Sequence, residues 1–245
     1  GPAGRAARRR RLGGDGGGRP VTEDSLRLNQ YLARCGAGSR RKAEDLIRSG
    51  RVYLNGAVVT DLGVRVHPED RVELDGTPVR PLDLLYLVMH KPRGVVSAVT
   101  DPRDRTVVDL LSPRHREAHP FPVGRLDRDS EGLLVLTNDG DFAQGLLHPR
   151  EGIVKRYEVQ LDRPLAEEHR RSMLEGLWSE GELLRPLAIR SLDQPDRRWF
   201  VFELVEGKKR EIRRLAALHR YGVLRLMRRA VGQLELRRLE MGKVM

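Results

Sequence analysis

The chain is poor in three kinds of residue or segment, and each scarcity excludes a class of protein. Cys35 is the only cysteine among 245 residues, which excludes an intramolecular disulfide framework and favours a reducing cytoplasm. No apolar run approaches the roughly 20 residues of a membrane-spanning helix, and no apolar signal-peptide core follows the basic start. We therefore expect a soluble protein with no membrane partner. Aromatic residues make up 4% of the chain, so any stacking on nucleobases must depend on few side chains.

Positive charge, by contrast, is abundant. Lysine and arginine number 46 against 35 acidic residues, a formal net charge of +11. Such an excess favours a polyanionic partner, and nucleic acid is the first expectation. The length is sufficient for two modest domains, each with its own core. His115 and His119 are four residues apart, but without a third ligand they do not form a metal-site pattern, and we expect no metal.

The first 81 residues divide into a tail and a small domain. Residues 1–24 have no apolar periodicity, and the sequence predicts a disordered basic tail there. A short helix is predicted from Leu26, and Ser39 is expected to cap a second helix over residues 40–48. Asn55-Gly56 and Asp75-Gly76 each predict a tight hairpin turn. We therefore place a small helix-and-hairpin domain at residues 25–81.

The second predicted helix begins with three cations, Arg40, Arg41 and Lys42. Cations at a helix N-terminus oppose the helix dipole. A phosphate lying on the exposed amides would compensate them. The sequence therefore predicts an RNA contact at this turn, the alternative being a turn that is only solvated.

The stretch from Phe121 to Asp141 combines charged side chains with a buried strand. An apolar run, Leu133 to Leu136, lies between glycine and Thr-Asn-Asp-Gly, which predicts a buried strand that leads into a helix. Either Asn138 or Asp139 can cap that helix. Asp127 lies just before it, between two arginines that would keep its carboxylate ionised. The residues alone leave two interpretations open, a nucleophile and an ordinary turn aspartate.

Two later segments extend the basic pattern. Lys155 to Val159 alternates as a strand and contains Tyr157. The 22 residues from Lys208 to Arg229 hold nine basic residues and one acidic residue. Ile212, Leu215 and Ala216 form a helical apolar stripe there, so we expect the arginines to project into solvent.

Four motifs in this order resemble the RsuA/RluB-type ribosomal RNA pseudouridine synthases. They are His-Lys-Pro-Arg-Gly at 90–94, Gly-Arg-Leu-Asp within 124–141, Lys-Arg-Tyr at 155–157 and Glu-Gly-Lys-Lys-Arg at 206–210. Residues 26 to about 80 also resemble the S4 RNA-binding domain. The resemblance covers residues 26–240 and is nearest to the large-subunit synthase B branch. It implies an α+β fold, with a catalytic domain at 82–245 on a mixed, mainly antiparallel sheet.

The resemblance also implies residue roles. Asp127 would be the catalytic nucleophile, and Arg213 would pair with it. Tyr157 would stack on the uracil, and Arg125 would fill the gap left by an extruded nucleotide. The residues expected to contact RNA are Arg27, Arg40, Arg41, Lys42, Arg51, Lys91, Lys208, Lys209, Arg210 and Arg214.

The function implied is isomerisation of a uridine to pseudouridine in ribosomal RNA, with the large-subunit 23S RNA as the expected substrate. We expect no cofactor, a monomer, and ribosomal RNA or a ribosome-assembly intermediate as partner. Three alternatives remain open at this point. They are a small-subunit synthase, a non-catalytic S4-type assembly factor, and a nucleoside hydrolase in which Asp129 or Glu131 activates water.

Overall fold

The computed structural model describes residues 11–12, 22, 25–148 and 151–245. They fall into two units divided between Leu84 and Leu85. The boundary predicted from the sequence, residue 81, lies three residues earlier. The predicted tail, residues 1–24, lies mostly outside the described residues. Within it, Arg11–Leu12 form a short strand, β1, that pairs in parallel with a strand of the first unit.

The first unit combines two helices with short strands. After β1 its elements are β2 (Leu26–Arg27), α1 (Leu28–Arg34), α2 (Arg40–Arg48), β3 (Val52–Leu54), β4 (Ala57–Val59), β5 (Arg65–Val66), β6 (Val72–Leu74) and β7 (Thr77–Pro78). One sheet has the order β1-β4-β3-β6-β7, and β2 pairs with β5.

Local signals in the sequence account for this arrangement. Ser39 accepts a hydrogen bond from the backbone amide of Lys42, so it is the N-cap that the sequence predicts for α2. Ala43 and Ile47, one turn apart on α2, pack with Leu28 and Leu32 of α1 in a common core. The two helices therefore cover one apolar cluster.

Both predicted hairpins are confirmed. Asn55 and Gly56 have φ of 50° and 81°, and Asp75 and Gly76 have φ of 52° and 82°. Positive φ at both central residues defines the type I′ turn, which asparagine, aspartate and glycine adopt at low cost. The turns join β3 to β4 and β6 to β7.

The second unit is larger and is organised on one sheet. Its elements are β8 (Tyr86–Lys91), a 3₁₀ helix (Val108–Leu110), α3 (Pro113–Glu117), β9 (Phe121–Val123), β10 (Glu131–Thr137), α4 (Gly140–Leu147), β11 (Lys155–Leu161), α5 (Glu167–Glu175), β12 (Leu177–Ser179), β13 (Glu182–Leu184), β14 (Ala188–Ser191), β15 (Trp199–Leu204), α6 (Glu211–Leu218), β16 (Val223–Val231) and β17 (Leu234–Glu235). None of the helices in the described ranges is both long and apolar enough to cross a bilayer.

The sheet of the second unit has the order β14-β15-β11-β16-β10-β8, with β9 on β10 and β17 on β16. Within the part of the chain that the structure describes, β10 and β16 run parallel and the other pairs of this sheet are antiparallel. The predicted α+β class with a mixed, mainly antiparallel sheet is confirmed.

β10 lies in the interior of this sheet, and all seven of its residues are buried. Leu134 and Leu136 face one core, whereas Leu133 and Val135 face a second core on the other side. Because successive side chains of a strand point to opposite faces, burial on both faces requires an uninterrupted apolar run. This explains the Leu-Leu-Val-Leu sequence. It also gives the loop that precedes β10 a rigid support.

Asp139 lies between β10 and α4 and is the N-cap of α4. Its carboxylate accepts hydrogen bonds from the backbone amides of Asp141 and Phe142, at 3.0 and 3.2 Å. The sequence left Asn138 and Asp139 as alternative caps, and the structure selects Asp139. Asn138 instead accepts from the amide of Leu85 and donates to the carbonyl of Ala118. Asp139 therefore fixes the start of α4, and Asn138 ties this turn to the backbone at Leu85 and Ala118.

Gly132 allows β10 and β16 to pair in parallel at close range. Its φ is +114°, and a Cβ built there would lie 2.3 Å from the carbonyl oxygen of Arg228. We predict that Gly132→Ala lowers the free energy of unfolding by more than about 2 kcal/mol, because strain and overlap act together. Urea unfolding would measure the change.

Gly145 provides the matched control. It lies in α4, and a Cβ built there meets no atom within 4 Å. Gly145→Ala should raise stability by about 0.5–1 kcal/mol, the gain expected in a helix interior. An unfolding midpoint of Gly132→Ala equal to that of the unmodified protein would contradict the close β10–β16 approach.

Candidate active site

The loop from Gly124 to Ser130 connects β9 to β10 and carries Asp127. A buried ammonium group holds its backbone. Nζ of Lys91 donates to the carbonyl oxygens of Ser130 at 2.8 Å and of Asp127 at 3.1 Å, and also to that of Pro92 at 3.0 Å. One cation thus satisfies carbonyls on both sides of the loop, which fixes its path beneath the Asp127 side chain.

The predicted RNA contact of Lys91 is therefore wrong. Lys91 is the last residue of β8, and its side chain is fully buried (0% exposed). Burial lowers its pKa to about 8, while the carboxylates of Asp127, Asp129 and Glu131 act in the opposite direction. Alternation along β8 directs Lys91 into the protein and beneath the loop, where RNA cannot reach it.

Two further contacts support the same loop. The hydroxyl of Ser97 donates to the carbonyl of Leu126 and accepts from its amide, at 2.9 and 3.1 Å. The amide of Gly94 donates to the carbonyl of Arg128 at 2.8 Å. The turn that follows β8 therefore holds the loop at several points. The sequence did not identify Ser97, since a serine distant along the chain gives no local signal.

A cavity of about 450 Å³ opens beside this loop. This volume lies within the range of small-molecule sites. The four residues predicted to be catalytic, Arg125, Asp127, Tyr157 and Arg213, all line it. The structure thus brings together side chains that are up to 88 positions apart in the sequence, from Arg125 to Arg213. Its other lining residues are Gly124, Leu126, Ser130, Leu147, Lys155, Leu204, Gly207, Lys208, Lys209, Arg210, Glu211, Ile212, Leu226 and Arg228.

The carboxylate of Asp127 is partly exposed to the cavity and contacts a cation. Its Oδ2 lies 3.4 Å from Nη1 of Arg210. Arg210 precedes α6 and has φ of 53°, a left-handed conformation that is uncommon for arginine. Arg128, which the sequence placed as a neighbouring charge of Asp127, forms an ion pair with Asp104 instead, at 3.1 Å. Arg125 is exposed where it lines the cavity.

Arg213 does not make the direct pair with Asp127 that the sequence predicts. Its Nη1 donates to the carbonyl of Val223 at 3.1 Å, and its Nη2 donates to the carbonyl of Asp129 at 3.4 Å. Burial lowers the pKa of Arg213, while the charge of Asp129, with a smaller effect from Asp127, opposes the shift. Arg213 therefore braces the end of the Gly124–Ser130 loop, and Arg210 makes the contact with the carboxylate of Asp127.

The expectation that the arginines of α6 project into solvent is also wrong. The Arg214 side chain is only 10% exposed. It donates to the hydroxyl and carbonyl of Ser179 and forms an ion pair with Glu182 at 2.6 Å. Because its donors are already bound within the protein, the predicted RNA contact of Arg214 is replaced by a structural one. The apolar stripe of α6 is confirmed, since Ile212, Leu215 and Ala216 are buried.

Tyr157 lies in β11 and lines the cavity. It is 7% exposed, and the same strand contributes Lys155, whose ammonium donates to the carbonyl of Val205 at 2.7 Å. Burial lowers the pKa of Lys155, and the charge of Arg228 adds to the shift. Arg228 is itself buried in β16 and donates to the carbonyl of Leu133. The sequence reasoning did not identify Lys155 and Arg228 as cavity residues. The feature that could have identified them is a cation on a strand whose other inward positions are apolar.

The two carboxylates considered for a hydrolase occupy different environments. Glu131 is buried, and its carboxylate accepts a hydrogen bond from Arg225 in an ion pair. It is thus engaged within the protein rather than lining the cavity. Asp129 is half exposed and lies 3.9 Å from Arg213. Neither lines the cavity with Asp127. Within the described ranges, no group of three or more metal-ligating side chains is present.

Five of the residues predicted to contact RNA belong to the first unit. Arg27 and the three cations at the start of α2, Arg40, Arg41 and Lys42, are all exposed. Arg51 is exposed too, but its guanidinium makes a two-point hydrogen bond with the carboxylate of Asp75, at 2.9 and 2.6 Å. These positions suit contact with phosphates, and their role stays a prediction.

Comparison with known proteins gives two family matches. The family described as RNA pseudouridylate synthase matches residues 85–218, which include Asp127, Tyr157 and Arg213. The S4 domain matches residues 26–72. The two matches lie in the two units of the structure.

Individual proteins are similar over most of the chain. Ribosomal large subunit pseudouridine synthase B of Bacillus subtilis is 37% identical, across 88% of this chain and 89% of that protein. Dual-specificity RNA pseudouridine synthase RluF of Escherichia coli K12 is 35% identical, across 91% and 76%. A crystal structure of a pseudouridylate synthase superposes with a TM-score of 0.64 at 26% identity, covering 90% of this chain and 95% of that one. The resemblance seen in the motifs is thereby confirmed, and the chain belongs to the RNA pseudouridine synthases that carry an S4 domain before the catalytic domain.

Proposed function

We propose that this enzyme converts a specific uridine of ribosomal RNA, in the large subunit, into pseudouridine, with the carboxylate of Asp127 as nucleophile. The observation that carries the proposal is the cavity in which Asp127 lies beside Arg210, with Tyr157 in the wall. Support for ribosomal RNA comes from the names of the relatives, one of which is a large-subunit synthase. Because another relative is named a dual-specificity RNA pseudouridine synthase, a different RNA is the second candidate substrate.

The reaction sets clear requirements for such a site. The N1–C1′ bond breaks, the base turns, and a C5–C1′ bond forms. The proton leaves C5, and N1 gains one, so the product is an isomer. A nucleophile is needed that bonds transiently to one of the separated fragments and is released as the C5–C1′ bond forms. The site also needs a pocket that keeps the base and excludes water. Asp127 supplies the nucleophile. The apolar side chains of Leu204, Ile212 and Leu226 line the pocket.

Neighbouring cations assist in this scheme. The guanidinium of Arg210, 3.4 Å from the carboxylate, stabilises its ionised form and limits its orientation. Tyr157 offers a ring against which the uracil stacks. Arg125, exposed where it lines the cavity, fills the space that the extruded nucleotide leaves in the RNA. Extrusion costs a few kcal/mol, which the phosphate contacts of Lys209 and the S4 domain offset. The ammonium of Lys208 is instead paired with Glu206 at 2.8 Å.

The expected monomeric state and cytoplasmic location stay predictions. A non-catalytic assembly role would not require a nucleophile and cations around one cavity, so the site geometry favours the enzyme. The isomerisation is redox-neutral, and the proposal therefore includes no cofactor.

Asp127→Asn is the direct test of the nucleophile. The substitution preserves size and hydrogen-bond acceptance but removes the attacking carboxylate. We predict that pseudouridine formation falls by at least about 10³-fold, the scale on which loss of a covalent nucleophile acts, while RNA affinity and the melting temperature stay near wild type. The measurement is single-turnover modification of transcribed 23S and 16S rRNA, with the modified position mapped.

Asp129→Asn is the matched control. Its carboxylate lies two residues away, is half exposed and does not line the cavity. This variant should retain most activity. Comparable turnover by Asp127→Asn would refute the role of Asp127, and modification confined to 16S rRNA would instead refute the large-subunit assignment.

Replacing Arg210 and replacing Arg213 should have different effects on kcat and on the melting temperature. Arg210→Ala removes the contact with the carboxylate of Asp127 and should lower kcat without changing the melting temperature, since Arg210 is exposed. Arg213→Ala removes a buried brace from the loop and should lower both kcat and the melting temperature.

Arg210→Lys is the conservative control, because a lysine keeps the charge near Asp127 and should restore part of the rate. The assignment would be reversed if Arg210→Ala matched wild type while Arg213→Ala was inactive at an unchanged melting temperature. Single-turnover rates and thermal unfolding of the same preparations distinguish these outcomes.

A further inference from the structure

A small hairpin outside the main sheet displays an aromatic side chain. The strands β12 and β13 pair only with each other among the described strands, and Trp178 lies directly opposite Leu183. Trp178 is 70% exposed and Leu183 is 38% exposed. The chain has two tryptophans, and aromatics are only 4% of its residues. An indole exposed to this degree offers a flat aromatic face on which a ligand can stack.

The opposite face of this hairpin is firmly anchored. Leu184 is fully buried, whereas Ser179 and Glu182 bind Arg214 of α6. Because side chains alternate across a strand, these contacts direct Trp178 and Leu183 to the other face. The exposed indole is therefore held on a fixed support, and the nearly buried Arg214, which does not contact RNA, acquires a role in positioning it.

The hairpin is also joined to the wall of the catalytic cavity. Nζ of Lys208 donates to the backbone carbonyl of Leu183 at 2.7 Å. Lys208 lines the cavity that contains Asp127, as does Lys209, which is exposed. An RNA strand that leaves the cavity past these lysines would pass along the hairpin.

The size and charge of this surface favour one kind of occupant. A specific protein partner covers about 800 Å² on each side, far more than one indole and one leucine. A single nucleobase is flat, stacks on an indole whatever its sequence, and is accompanied by a phosphate. The exposed Lys209 can attract that phosphate, whereas the ammonium of Lys208 is paired with Glu206 at 2.8 Å. Of the two glutamates of the hairpin, Glu182 pairs closely with Arg214 at 2.6 Å, and Glu180 lies 4.0 Å from the same guanidinium.

We propose that the hairpin from Leu177 to Leu184 is a nucleobase-binding arm. Trp178, flanked by Leu183, stacks on an unpaired base of the substrate RNA outside the catalytic cavity while the target uridine occupies it. The inference rests on the proposed RNA function and adds a specificity element to it. An RNA is preferred when an unpaired base lies at the fixed distance between the cavity and the arm.

The test uses tryptophan fluorescence and turnover together. In Trp199→Phe protein, Trp178 is the remaining tryptophan, and saturating 23S rRNA transcript should quench its emission. Trp178→Ala should raise the Kd for this RNA, and KM, by about 5- to 100-fold, the range that one lost base–aromatic stack gives, with kcat retained. Trp178→Tyr, which keeps a stacking ring, should restore most of the affinity.

The control is Trp178→Phe protein, in which the half-buried Trp199 reports non-specific quenching. Emission from Trp178 that does not change on RNA binding, or a Trp178→Ala variant equal to wild type in KM, would overturn the proposal. Failure of the proposed function is distinct, because it appears as the absence of pseudouridine in rRNA treated with wild-type enzyme, whatever the fluorescence shows.

Discussion

The catalytic domain depends on one buried cation beneath an irregular loop. The loop that carries Asp127 lies outside the strand ladder, and its carbonyls would be costly if they were buried without hydrogen-bond partners. The ammonium of Lys91 satisfies those of Asp127 and Ser130 together. Since β8 and β10 are neighbours in the sheet, the strand that carries Lys91 and the strand that follows the loop are held in fixed register. The position of Asp127 follows from this arrangement.

The basic segment around α6 divides its cations between support and contact. Arg213 and Arg214 point inward. Arg213 braces the loop that carries Asp127, and Arg214 anchors the β12–β13 hairpin. Lys209 and Arg210, just before the helix, remain exposed. A run of like charges is thereby made compatible with folding, because the inward members bind carbonyls and carboxylates. The outward members leave a positive rim at the cavity.

Local features were predictable from the sequence, and partners distant along the chain were not. Ser39 and Asn55-Gly56 act within a few residues of themselves, so capping and turn preferences identified them. The same preferences narrowed the cap of α4 to Asn138 or Asp139. The sequence also identified the strand around Leu133–Leu136 and the apolar stripe of α6, because periodicity reports burial. The motif resemblance, not composition, brought Asp127, Tyr157 and Arg213 to attention. Lys91 and Arg214 were misjudged because a basic side chain looks the same in sequence whether it binds phosphate or buried carbonyls.

Lys91→Met tests most directly whether the buried ammonium of Lys91 positions Asp127. Methionine keeps the length of the side chain but donates no hydrogen bond. With folding verified by circular dichroism, the single-turnover rate of pseudouridine formation should fall by about 100-fold, as expected for a reacting group displaced by about 1 Å. The Kd for RNA should change less than about twofold, because Lys91 is buried. A folded variant with the wild-type rate, or one whose defect lies in RNA affinity alone, would contradict the account.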